Sequence, residues 1–227
     1  LHEYFFSCLR NTDKILRVPI LVETSSYPQP FEKPDHDDRR IIYCGNLDHG
    51  GEITSLLDAF SQVAGDFPQL RLHIIGDTCE RNQRDQLNAL IAKLALTGLV
   101  QFIGQRPRQE IPLLLSQGDI MALPRAAGMF STAGFPTKLG EYLATGKPVV
   151  VTDTGDISQY LQDGVNAFIT TPGDTVAFAR ALRRVMLRPE EAATVGRGGR
   201  EVALKQFDTF VNCSRIVEFI QKLKTSG

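Results

Sequence analysis

The sequence predicts an α/β fold: a Rossmann-like, doubly wound sheet of six parallel strands with helices on both faces. Two observations carry this. From Arg40 onward, short runs rich in β-forming residues alternate with longer segments whose apolar residues keep a helical period. The short runs are apolar at nearly every position, as strands covered on both faces are.

Ile41-Ile42-Tyr43-Cys44 is the first strand. After Gly45-Asn46 and a Gly50-Gly51 turn, a helix from about Glu52 to Ala64 carries Ile53, Leu56, Leu57, Phe60 and Val63 on one face. Leu70 to Ile75 is the second strand, ending in Gly76-Asp77, and the next helix carries Leu87, Leu90, Ile91 and Leu94. Val100 to Ile103 is the third strand, followed by Gly104-Gln105-Arg106-Pro107 and a helix with Ile111, Leu114 and Leu115. Asp119 to Pro124 is the fourth, and an irregular loop from Arg125 to Gly134 follows it.

Pro136 suits a first helical position and Gly146 a helix end, so a short helix lies between them, with Leu139, Tyr142 and Leu143 on one face. Pro148 to Val151 is the fifth strand, Asp153-Thr154-Gly155 leads into a short helix, and Ala167 to Thr170 is the sixth strand. Asp174 caps a helix carrying Val176, Phe178, Ala179, Leu182 and Val185. Two helices, near Pro189 to Lys205 and Asp208 to Lys224, close the chain.

Three strands precede the return of the fourth, so the expected order is 3-2-1-4-5-6, with its switch point between strands one and four. Ligands of such sheets bind there, outside the carboxyl ends of the strands. The helix that begins near Pro136 opens at that point. Its free N–H groups and partial positive charge suit a phosphate, and Glu141, one turn further in, suits sugar hydroxyls. By spacing alone, Lys138 and Glu141 also fit an ordinary solvated i,i+3 pair.

Ahead of the alternation, Tyr4, Phe5 and Leu9 mark a helical piece, and Ile15 to Val22 an extended one. Thr24 to Arg40, with Pro28, Pro30, Pro34 and the run Asp35-His36-Asp37-Asp38, has a linker's composition. Asp35 and Asp37 look like an acid pair for a metal but read as a hydrated linker, and no metal site is expected.

The chain of 227 residues balances 25 basic against 26 acidic side chains, which gives no electrostatic footprint for nucleic acid. No apolar run is long enough to span a bilayer, and no signal-peptide pattern opens the sequence. Cys8, Cys44, Cys79 and Cys213 are scattered and read as reduced thiols of a cytoplasmic protein. Of the histidines, His73 reads as a packed core residue, His49 as the imidazole nearest the cleft, and His2 and His36 as terminal or linker residues.

Several stretches together resemble a known family. They are Gly45, Leu56-Leu57-Asp58-Ala59-Phe60, Ile75-Gly76-Asp77, Val100 to Gly104, Asp119 to Pro124 and, above all, Gly134 to Val150. All are similar to the C-terminal half of the retaining, nucleotide-sugar-dependent glycosyltransferases of family four, with the GT-B architecture. The resemblance implies two facing Rossmann-like domains, of which this chain holds the donor-binding one. Residues 1–38 then stand for the tail of the missing N-terminal domain and the linker. Residues 39–205 are the nucleotide-sugar-binding domain, and 206–227 a helix that crosses to the missing domain.

It further implies a hexose donor in the form of a UDP- or GDP-sugar, no cofactor, and an acceptor glycan or lipid-linked acceptor. It also implies peripheral membrane association through the missing half, at the inner face. Of the family's two glutamates eight positions apart, the second, on the donor ribose, is Glu141; the first position holds Ala133. Gly134, Phe135, Pro136, Thr137 and Lys138 then line the donor, Gly45 and Asn46 sit by the diphosphate, and Gln105 and Arg106 by the base. The family's Arg after the first-strand Gly is Asn46 here, and its Lys before the first helix is missing, so Lys138, Arg125 and Arg106 are the candidates for the charge. Those departures motivate a reading of another class, a non-catalytic partner or chaperone subunit with a degenerate donor site. A third reading is a nucleotide-sugar epimerase or hydrolase.

Overall fold

The computed structural model describes residues 14–27, 37–47, 51–78, 80–126, 128, 131 and 134–225. The expected helix around Tyr4, Phe5 and Leu9, the prolines of the linker, Asp35, His2, His36, His49, and the thiols of Cys8 and Cys79 lie outside the described residues.

The strands are β1 (Arg39–Cys44), β2 (Leu70–Ile75), β3 (Val100–Gly104), β4 (Ile120–Leu123), β5 (Val149–Thr152) and β6 (Phe168–Thr170). All pair in parallel, in the order β3-β2-β1-β4-β5-β6, as the alternation predicts. The helices are α1 (Gly51–Ala64), α2 (Arg81–Lys93), α3 (Ile111–Ser116), α4 (Thr137–Ala144), α5 (Thr175–Leu187), α6 (Pro189–Val202) and α7 (Thr209–Thr225), with a π-helical turn, Ala203–Phe207, between the last two.

The reason β1 reads as unbroken apolar sequence is visible in its two faces. Ile41 and Tyr43 join one core with Phe60 of α1, Leu87 of α2 and Phe178 of α5. Ile42 and Cys44 join the other with Leu115 of α3 and Leu139 and Tyr142 of α4. Successive side chains point to opposite faces, and helices cover both. At β2 the alternation of buried and half-buried residues returns, and His73 falls on the half-buried set, so it is not the packed core residue expected.

The second departure concerns the segment read as a linker from Thr24. Val22, Thr24 and Tyr27 are buried. The Val22 N–H donates to the Phe207 carbonyl at 2.8 Å, and the Thr209 N–H donates to the Val22 carbonyl at 2.9 Å. Further up, Arg17 ion-pairs with Asp156 at 2.5 Å and lies over the Tyr160 ring. Gly140 of α4 makes the crossing feasible, since a Cβ there would sit 2.6 Å from a Val22 methyl. Averaged over a proline-rich stretch, the composition hides Thr24 and Tyr27, the buried residues that continue the docking begun at Val22.

Candidate functional site

The carboxyl ends of β1 and β4 part at the switch point, and three pieces of chain wall the crevice between them. The floor is backbone. The Gly45 N–H donates to the Ile75 carbonyl at 3.0 Å, and Gly76, with φ of +137°, comes so close that a Cβ would lie 2.0 Å from the Gly45 oxygen. Only glycine fits there. Asn46 is exposed beside it.

On the far wall stands α4. Pro136 is its N-cap rather than its first helical residue, one position from the expectation, and Thr137 is exposed at the first turn. Leu139, Tyr142 and Leu143 are fully buried, as the stripe requires. Tyr142 ties the helix to β1: the Cys44 N–H donates to its hydroxyl at 2.5 Å, and the hydroxyl donates to the Cys44 carbonyl at 3.3 Å. That strut sets the start of α4 against the end of β1. Lys138 and Glu141 form the i,i+3 ion pair at 2.9 Å, with 33% and 23% of their side chains exposed, so the pair is neither buried nor freely solvated. Glu141 also borders a groove of about 620 Å³, which Tyr27, Arg108 and Ile111 line with it.

Arg125, straight after β4, is the most constrained group of the crevice. Its N–H donates to Thr152 Oγ1 at 2.7 Å, and that hydroxyl donates back to the Arg125 carbonyl at 3.1 Å. Its Nη1 donates to the Gly134 carbonyl at 2.9 Å, and its Nε lies 3.4 Å from Glu52 Oε1. The Tyr43 hydroxyl donates to Glu52 Oε2 at 3.3 Å. Glu52 was not anticipated; an acid in the first turn of a helix reads as a partner of the helix dipole, and only the fold brings it to β4. Burial holds the thiol and phenol protons around this crevice: it pushes the Cys44 thiol up to about 11 and raises the Tyr27, Tyr43 and Tyr142 hydroxyls above their ordinary value.

Residues 28–202 match the family described as Glycosyl transferases group 1. The chain belongs to that family. A curated relative, the phosphatidyl-myo-inositol mannosyltransferase of Mycobacterium leprae, is 27% identical over 83% of this chain and 48% of its own length. Among solved structures, Anabaena HepE in complex with UDP is 26% identical with a TM-score of 0.74, covering 82% of this chain and 49% of that one. The C-terminal domain of the group 1 glycosyl transferase LpcC from Francisella tularensis shares the fold, with 16% identity and a TM-score of 0.70. That match covers 83% of this chain and 99% of that domain. The chain spans about half the length, or less, of the curated relatives it matches. The sheet is thus the Rossmann-like half of a GT-B glycosyltransferase fold.

Within this group 1 domain, the structure brings together Gly45, Asn46, Arg125, Gly134, Pro136, Thr137, Lys138 and Glu141 around the switch point. Phe135 is engaged elsewhere, in an aromatic trio with Tyr160 at 5.5 Å and Phe207 at 5.6 Å. Gln105 and Arg106 are exposed after β3, where the Arg106 Nε donates to the Ile103 carbonyl at 3.2 Å. Arg108, two residues on in the turn before α3, is the one that reaches the groove beside Glu141. The polar run Gln105-Arg106-Pro107-Arg108 held that signal, but spacing does not say which arginine turns inward. Ala133 lies outside the described residues. Among the described residues no group of three or more His, Cys, Asp or Glu side chains is placed to hold a metal, and no helix is long and apolar enough to cross a membrane.

Proposed function

We propose that this chain is the donor-binding half of a retaining glycosyltransferase that moves a hexose from a UDP- or GDP-sugar to a glycan or lipid-linked acceptor. The observation that carries the reading is the start of α4 at the switch point, tied to the end of β1 by Tyr142, with Lys138 and Glu141 side by side on its first turns. The similarity to Anabaena HepE, which is in complex with UDP, supports the nucleotide.

On this reading the nucleoside diphosphate is the leaving group, and the free N–H groups of α4 together with Lys138 stabilise the charge that builds on it as the glycosidic bond breaks. Glu141 accepts hydrogen bonds from the ribose hydroxyls. Arg125 and the loop it holds through Gly134 shape the pocket for the sugar. The acceptor belongs to a second, N-terminal domain, which residues 1–38 lead out of and α7 returns to. In support, α7 leaves Phe210, Val217, Ile220 and Leu223 exposed, an apolar surface that suits a neighbouring domain better than water.

Calorimetric titration with UDP, GDP and their sugars tests this, and absence of heat at millimolar ligand refutes it. The second reading, a partner subunit with a decayed donor site, draws on the pairing of both crevice cations with carboxylates. Sugar transfer by the whole protein on its own ends that alternative; a stoichiometric glycosyltransferase partner without transfer favours it.

A further inference from the structure

Among the described residues, the cations at the end of β4 and the start of α4 are each matched by an acid. Lys138 has Glu141, its neighbour one turn along α4, but Arg125 has Glu52, which comes from α1 across the switch point. The donor-site reading calls for no carboxylate there, since a like charge beside a diphosphate weakens it.

The surroundings show what Glu52 does to Arg125. The arginine backbone is clamped to Thr152 at both its N–H and its carbonyl. Its guanidinium spans Glu52 on one wall and the Gly134 carbonyl at the entry to α4 on the other, with 14% of the side chain exposed. Glu52 is fixed in turn by the Tyr43 hydroxyl. A guanidinium has five N–H donors. Nε faces Glu52 and Nη1 serves Gly134, while Nη2 makes no hydrogen bond among the described residues.

We propose that Glu52 is a positioning and charge-setting residue of the diphosphate subsite. It holds Arg125 across the crevice while the site is empty, and its negative charge opposes the anion that Arg125 attracts. Nucleoside diphosphate is therefore held more weakly than two cations and a helix N-terminus would hold it, and the product diphosphate leaves readily. The inference rests on the donor-site reading and goes beyond it, because it assigns a role to an acid on the opposite wall.

Glu52→Gln separates charge from position. Glutamine keeps an oxygen to accept from Arg125, and its amide can donate to the Tyr43 hydroxyl, whose own proton is free to rotate. Wild type, Glu52→Gln and Arg125→Gln are titrated calorimetrically with UDP and, separately, with uridine, which lacks the phosphates. Glu52→Gln binds UDP roughly three- to tenfold more tightly, the size expected for deleting one like charge in a partly solvated crevice. Arg125→Gln binds UDP more weakly by a similar factor, and uridine affinity is the same in all three. The gain from Glu52→Gln shrinks as salt is added.

Unchanged or weaker UDP binding by Glu52→Gln overturns the proposal and leaves the donor site standing. So does a uridine affinity that moves along with UDP, which marks a change of shape rather than of charge. Failure of all three proteins to bind either UDP or GDP overturns the donor-site reading, and this inference with it.

Discussion

Removing the Tyr142 hydroxyl is the sharpest test of how the crevice is held. Tyr142 is fully buried, and its hydroxyl both accepts from the Cys44 N–H and donates to the Cys44 carbonyl, at the last residue of β1. Tyr142→Phe keeps the ring and the packing against Leu139 and Leu143 but leaves a buried donor and a buried acceptor without partners. A buried polar group stripped of its partner costs about 1–3 kcal/mol. For a domain of this size each kcal/mol lowers Tm by about 2–4 °C, so a loss of about 2 kcal/mol lowers it by about 4–8 °C. Differential scanning calorimetry reads this directly. Tyr160→Phe is the control, because the Tyr160 ring packs on Phe135 while its hydroxyl makes no hydrogen bond among the described residues. A Tyr142→Phe protein whose Tm falls by less than about 1 °C refutes the claim that this hydroxyl ties α4 to β1.

Two further outcomes follow from packing and from protonation. Gly196→Ala destabilises more than Gly140→Ala: the new Cβ meets rigid backbone at Gly196 (Gly146 O at 2.4 Å, Lys147 C at 2.8 Å), but side-chain ends of Val22 and Ile20 at Gly140. We expect about 1–3 kcal/mol or more for the first and a smaller loss for the second, by urea denaturation, and a reversed order contradicts it. Stability also declines in alkali. The Cys44 thiol titrates near 11 when folded against an ordinary 9.0, so the folded state holds the proton more tightly, and its contribution is full below 9.0 and lost as pH rises towards 11. The raised Tyr27, Tyr43 and Tyr142 act in the same direction. The urea midpoint therefore falls between about pH 9 and about pH 11, and a flat or rising midpoint argues against a buried neutral thiol and phenols.

The sheet and its order were legible because the central strands β1, β4 and β5 had to satisfy two covered faces, which leaves a near-continuous apolar signature in Ile41 to Cys44 and Pro148 to Val151. The place of α4 was legible from its punctuation, Pro136 at one end and Gly146, with φ of +70°, at the other. What stayed hidden was contact between distant segments. Glu52 and Arg125 each look unremarkable locally, and their pairing exists only because β1 and β4 are neighbours. The contacts of Phe135 with Tyr160 and Phe207 likewise join residues that are far apart in sequence. The docking of the chain from Thr24 to Tyr27 is hidden for a related reason: one aromatic anchor, Tyr27, in a polar stretch has no period to betray it.

The relocated charge gives the departures from the family pattern a physical order. The resemblance leads one to expect cations on the α1 wall, after the first-strand glycine and before the first helix, and Asn46 and Gly51 supply none. Here α1 carries Glu52 in its first turn, where the positive end of its own dipole stabilises a carboxylate. The cation sits instead on the opposite wall, as Arg125, and reaches back to that acid. An anion at the switch point then meets α1 as a wall already supplied with negative charge. It meets α4 as a helix whose first turn has no acid, an exposed Thr137 and a lysine one position on. On the donor-site reading, this charge distribution favours α4 over α1 as the helix start for a phosphate, and α4 also carries Glu141.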